Sequence, residues 1–190
     1  MASVFGDVQM GKGVNAAGGG PPWFQVDKEN GKTGEGGEYV LKLVAGKNGS
    51  SGDHGPYCAF EVEVEQAKAN VVGHTPAIPG QIRTMQFMKK FKSTPANLKN
   101  ILLAIGFTLE EIEADDGKAG GALVDMLTSN YADGPLSQLA KAGVPVRIRA
   151  SFSPTETGSK KWILKSFFQE VPGETLKDCL AKKKAAAPAA

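Results

Sequence analysis

Val144–Phe168 reads VPVRIRASFSPTETGSKKWILKSFF. Val144, Val146, Ile148, Ala150 and Phe152 alternate with Arg147, Arg149 and Ser151, the period of a half-buried strand. A polar turn follows, then a second apolar-aromatic run from Trp162 to Phe168, so the stretch reads as a β-hairpin with one face in a core. The second strand must bury one parity. Burying Trp162, Leu164 and Phe168 leaves Lys165 and Phe167 outside; burying Ile163 and Phe167 would carry Lys165 inward, so the first choice is preferred.

Working back from the hairpin, EYVLKLVAG from Glu38 reads as a first strand. In PYCAFEVEVEQAKA, Phe60, Val62 and Val64 alternate with Glu61, Glu63 and Glu65, a second half-buried strand. QIRTMQFMKKFK is a third, with Ile82, Thr84, Gln86 and Met88 on one face and Arg83, Met85, Phe87 and Lys89 on the other. The period then changes. Leu98, Ile101, Leu102 and Ile105 form a helical stripe, with Thr94 as a candidate cap, Pro95 at the first position and Gly106 at the stop. TLEE opens a short helix with a capping box from Thr108 to Glu111, and GGALVDMLTSNY and PLSQLAKAG supply two more helical segments.

The order is strand, strand, strand, helices, strand, strand. It predicts a mainly β domain with a helical insert between the third and fourth strands, the element order of a five-stranded OB-like Greek-key barrel. The same elements also fit an open α+β sheet with the helices on one face. The expected domain spans residues 38–171 with the insert at 94–142. A Gly-rich flexible arm covers 1–37, and a basic Ala/Lys tail covers 172–190.

The chain has 190 residues and a net charge of +2, so attraction to a polyanion must come from local clusters. Two cysteines, Cys58 and Cys179, make no disulfide framework and fit a reducing compartment. No apolar run approaches the roughly 20 residues of a membrane span, and the first residues lack a signal-peptide pattern. The expectation is a cytoplasmic protein without a membrane partner.

Catalytic signals are thin. His54, Cys58 and His74 have no standard zinc-ligand spacing. The row Glu61, Glu63 and Glu65 offers carboxylates to a divalent metal, but such a row equally pairs with cations on neighbouring strands, and Lys42 is one available partner. GKGVNAAGGG is not a phosphate-binding loop, since no strand precedes it. No enzyme activity, metal or cofactor is expected.

The basic-aromatic pattern is stronger. Gln81–Lys92 holds Arg83, Lys89, Lys90 and Lys92 with no acid, and Phe87 and Phe91 are interleaved. Lys141–Phe168 holds Arg147, Arg149, Lys160, Lys161 and Lys165 beside Trp162 and Phe167, against the single acid Glu156. In an OB topology these segments neighbour one another and form a basic groove with flat rings. Cations that track phosphates and rings that stack on bases are what single-stranded nucleic acid requires. The expected contacts are Arg83, Phe87, Lys89, Lys90, Phe91, Arg147, Arg149, Trp162, Lys165 and Phe167.

CAFEVEVEQAKANVVGHTPAIPGQIRTMQF, ANLKNILLAIGF and the hairpin together resemble bacteriophage-encoded single-stranded-DNA-binding-like proteins of OB-fold type, over about residues 38–170. The resemblance implies binding and protection of single-stranded DNA with little sequence preference, in phage DNA replication or recombination. Implied partners are the DNA, replication or recombination proteins and further copies of the chain, in the host cytoplasm. AKKKAAAPAA departs from the acidic end of many such proteins. A non-enzymatic assembly module of a phage particle is the alternative, and the Gly-rich arm suits it.

Overall fold

The computed structural model describes residues 4–11, 26–27, 36–52, 55–69, 76–156 and 161–186; for 26–27, 153–156 and 161–165 it describes the backbone alone. One antiparallel sheet dominates. Its strands are β1 (Val26–Asp27), β2 (Gly37–Ser51), β3 (Gly55–Lys68), β4 (Ile82–Met88), β5 (Arg147–Glu156) and β6 (Lys161–Glu170), in the order β1-β6-β5-β2-β3-β4. Between β4 and β5 come α1 (Thr94–Ala104), α2 (Leu109–Glu113), a 3-10 turn at Asp115–Gly117, α3 (Lys118–Thr128) and α4 (Pro135–Lys141). Helix α5 (Leu176–Ala186) follows β6.

The long β2 organises the sheet. Tyr39, Leu41 and Leu43 alternate into the core, and the first part of the strand pairs with β5 while its whole length pairs with β3. After β4 the helices carry the chain back, so that β5 lies on the far side of β2. The order β5-β2-β3-β4 is a Greek key. Register shifts at Val40/Leu41 and Leu43/Ala45 mark bulges in the β2–β3 ladder, each reversing the parity of the residues beyond it.

The expectation of an OB-like barrel holds in part: a mainly β fold with helices between β4 and β5 forms, but the sheet is open, and among the described residues no ladder joins β4 to β6. Instead α1 lies against β6 and also touches β4. Thr94 Oγ1 donates to the Met88 carbonyl at the end of β4 (2.6 Å), and Ser166 Oγ of β6 donates to Asn97 Oδ1 of α1 (3.3 Å). Leu98, Ile101, Leu102 and Ile105 are all fully buried on that helix. A helix packed against both strands takes the place of strand-to-strand pairing. The open-sheet alternative therefore describes the closure correctly.

The helix signals hold, except that α1 starts one residue earlier than expected, which puts Pro95 at its second position. Thr108 Oγ1 accepts from the Glu111 N–H (3.2 Å) while the Glu111 carboxylate accepts from the Thr108 N–H (2.8 Å), the expected capping box. Thr94 does not cap α1: Ser93 holds the cap position, and the Thr94 hydroxyl is spent on Met88. Gly106, at φ 99°, ends the helix in a backbone conformation that favours glycine.

Two terminal pieces belong to the core. Phe5, Val8 and Met10, placed by the sequence in a flexible arm, are buried. Gly121 admits them: a Cβ there would stand 2.0 Å from the Phe5 carbonyl oxygen. The Asp125 carboxylate accepts the Val4 N–H (3.1 Å) and the Phe5 N–H (2.9 Å). At the other end, the expected tail forms α5, which buries Leu176 and Cys179. The Leu176 N–H donates to the Ile105 carbonyl (2.8 Å), tying α5 to the end of α1. Among the described residues no helix is long and apolar enough to cross a membrane.

Candidate nucleic-acid interface

The ladders decide which side chains share the outer face. Opposite residues share a face, so Lys42 stands with Glu63 and Arg147, Val40 with Gln66 and Arg149, and Glu38 with Lys68 and Ser151. On β6, Gln169 lies opposite Arg149 and Phe167 opposite Ser151.

The acidic row of β3 is engaged. Lys42 Nζ reaches Glu63 at 2.6 Å, and the Tyr131 hydroxyl donates to Glu61. Arg147 grips Glu65 with two bonds, Nε to Oε2 at 2.6 Å and a second guanidinium nitrogen to Oε1 at 2.8 Å, and reaches Glu174 at 3.1 Å. Those bonds hold the Glu65 carboxyl below the usual glutamate range, despite some opposing desolvation. The Glu65 carboxylate in turn raises the Arg147 guanidinium further. The sequence points Arg147 at phosphate; in the fold two carboxylates already neutralise it, so it fastens β5 to β3 and to the segment leading into α5. No group of three metal-ligating side chains occurs among the described residues.

Arg149, two positions further on, is exposed and lines a groove of about 520 Å³ running across β3, β2, β5 and β6. Phe167 lines the same groove and is 55% exposed, while Phe168 beside it is buried against Phe152. Arg149 and Phe167 are diagonal neighbours on one face, about 7–8 Å apart. A smaller groove of about 400 Å³ also includes Arg149 and Gln169, and extends to Leu103 at the end of α1 and to Pro172. Arg149 thus stands where the two meet.

Lys68 lines the larger groove at its β3 side, opposite Glu38. Sequence reasoning missed it. Strict alternation from Val62 and Val64 would point Lys68 inward, but the bulge between the Leu41–Val64 and Val40–Gln66 pairs turns Gln66 and Lys68 outward. Bulges leave little trace in a pattern of two, and the only hint is the loss of alternation in EQAKA.

The other expected contacts are dispersed. β4 and β6 are four strand steps apart in the sheet, roughly 19 Å. Arg83 lies opposite Val62 on the core parity of β4 and donates to Gln81 Oε1 (2.7 Å) and to the Ile82 carbonyl (3.3 Å). Phe87, offered as a stacking ring, is 3% exposed and packs edge-on to Phe60, so it serves the core. Lys89 is held by the Val4 carbonyl (2.7 Å) and by Asp7, which anchors the N-terminal segment. Lys90 and Phe91 sit in the exposed turn between β4 and α1, with the ammonium 5.7 Å from the ring centre. Trp162 and Lys165 fall in β6 opposite Glu156 and Ser153, and their side chains lie outside the described residues, as do His54 and His74.

A scan of protein-family models and searches of curated proteins and of solved structures give no match to this chain.

Proposed function

We propose that this protein binds single-stranded DNA, with little sequence preference, along the groove that carries Arg149 and Phe167. The carrying observation is an aromatic ring 55% exposed on a sheet face beside an exposed arginine. An open ring on a sheet face offers a stacking surface to a base, and such stacking contributes about 1–3 kcal/mol per base. Arg149 on the neighbouring strand and Lys68 further across the groove, both on the β5 side of the ring, supply cations to the phosphates. Phosphate contacts and ring stacking carry little sequence information, which fits sequence tolerance.

The strand order supports the same reading by analogy. The order β6-β5-β2-β3-β4 is that of an OB-type barrel opened at the seam between its third and fifth long strands, and such barrels bind oligonucleotides on their strand faces. The proposed setting is the coating of single strands during phage DNA replication or recombination, as the family resemblance implies.

The test is fluorescence anisotropy of labelled oligo-dT against duplex DNA over a series of salt concentrations. The native protein should prefer the single strand. With two to four phosphates neutralised, the log–log salt slope should lie between about −1.4 and −2.8. Arg149→Ala should flatten it by about 0.7. Binding that favours the duplex, or none at low salt, would contradict the proposal and favour the assembly module.

A further inference from the structure

Lys90 and Phe91 are left outside the groove. Phe91 is 48% exposed, and Lys90 stands over its ring at 5.7 Å. The turn that carries them is firmly built. The Phe91 N–H donates to the Met88 carbonyl (3.1 Å), the Phe91 carbonyl accepts the Thr94 N–H (3.0 Å), and Thr94 Oγ1 closes on Met88. Lys89 pins the turn from the other side through Val4 and Asp7. Lys92, also exposed, adds a further cation. An open ring with cations beside it repeats, at a second place, the chemistry of Arg149 and Phe167.

Helix α1 sets the distance between the two places. The turn precedes its N-terminal end, and Leu103 and Ala104 at its C-terminal end line the smaller groove that shares Arg149 with the larger one. Along α1 itself, from Thr94 to Ala104, the axial rise is about 15 Å at 1.5 Å per residue. A base-stacked strand covers that in about four to five nucleotides, at about 3.4 Å each.

We infer that the β4–α1 turn is a second single-strand contact, so that one strand is held at two places and a longer oligomer gains affinity in a step. This rests on the groove being a single-strand site. A short oligomer fills the groove alone. Once the strand also reaches the turn, the second contact forms at high effective concentration, and affinity should rise tenfold or more (order of magnitude).

The experiment measures affinity for oligo-dT of about 4, 8, 12 and 16 nucleotides, spanning the usual range for one OB fold. The native protein should show a rise between about 4 and 12 nucleotides, well above the proportional gain from extra binding positions. Lys90→Ala combined with Phe91→Ala should remove that rise while leaving the shortest oligomer's affinity unchanged, with thermal unfolding as the check that the variant is folded. A native profile without a step would overturn the inference even if the variant failed to fold. So would a step that survives in a folded variant. In either case short-oligomer binding would leave the groove standing, whereas no binding at any length would remove both.

Discussion

Arg147 and Arg149 differ by two positions along β5 and by what lies across the sheet from them. Arg147 meets Glu65 and Glu174, while Arg149 meets Val40 and Gln169. The two should separate in experiment. Arg147→Ala should lower stability by about 1 kcal/mol and leave the salt slope of DNA binding unchanged. Arg149→Ala should do the reverse, with denaturant unfolding and anisotropy as the paired measurements. Glu65 adds a pH signature. Its folded pKa is depressed by Arg147, so its contribution is complete above the ordinary glutamate value and is lost as pH falls through the lower folded value. Glu65→Gln should therefore be less stable than the native protein near neutral pH, and the gap should shrink as pH falls below about 4.5. A gap that stays constant down to pH values where both proteins unfold would show that the pair is not what stabilises that corner.

At the scale of elements, the segments with a clear period are legible in the sequence and the short or aperiodic ones are not. Leu98, Ile101, Leu102 and Ile105 announce α1, and Thr108 with Glu111 announces α2, because caps and stripes are local chemistry. Phe5, Val8 and Met10 announce nothing, since three apolar residues in an irregular stretch carry no period and their pocket is made by Gly121 and Asp125, far along the chain. α5 reads as a tail because its lysines and alanines outweigh the two residues, Leu176 and Cys179, that dock it. The bulge in β2–β3 hides Lys68 in the same way, by breaking the alternation on which the reading relies. The N-terminal segment gives a direct prediction. Phe5→Ala should cost about 3–5 kcal/mol in equilibrium unfolding, a core-sized effect. A loss under about 0.5 kcal/mol, typical of surface positions, would show that the segment is not packed in solution.

For the whole molecule, the element order suggests the Greek key by analogy with an OB-type barrel, but closure is not legible in it. Whether two edge strands meet or a helix stands between them depends on how α1 packs, through contacts such as Thr94 to Met88 and Ser166 to Asn97 that no single-strand pattern encodes. The same arrangement divides the basic-aromatic residues, leaving Arg149 and Phe167 on one face and Lys90 with Phe91 beyond α1. The central claim is that the open ring of Phe167 stacks on a base of single-stranded DNA. The most direct measurement is a double-mutant cycle: native and Phe167→Ala protein, each titrated with an oligo-dT just long enough to fill the groove and with the same oligomer carrying abasic sugars. The account predicts that Phe167→Ala weakens oligo-dT binding by about 1–3 kcal/mol and hardly changes binding of the abasic strand. Equal losses on both strands, or no loss on either, would contradict it.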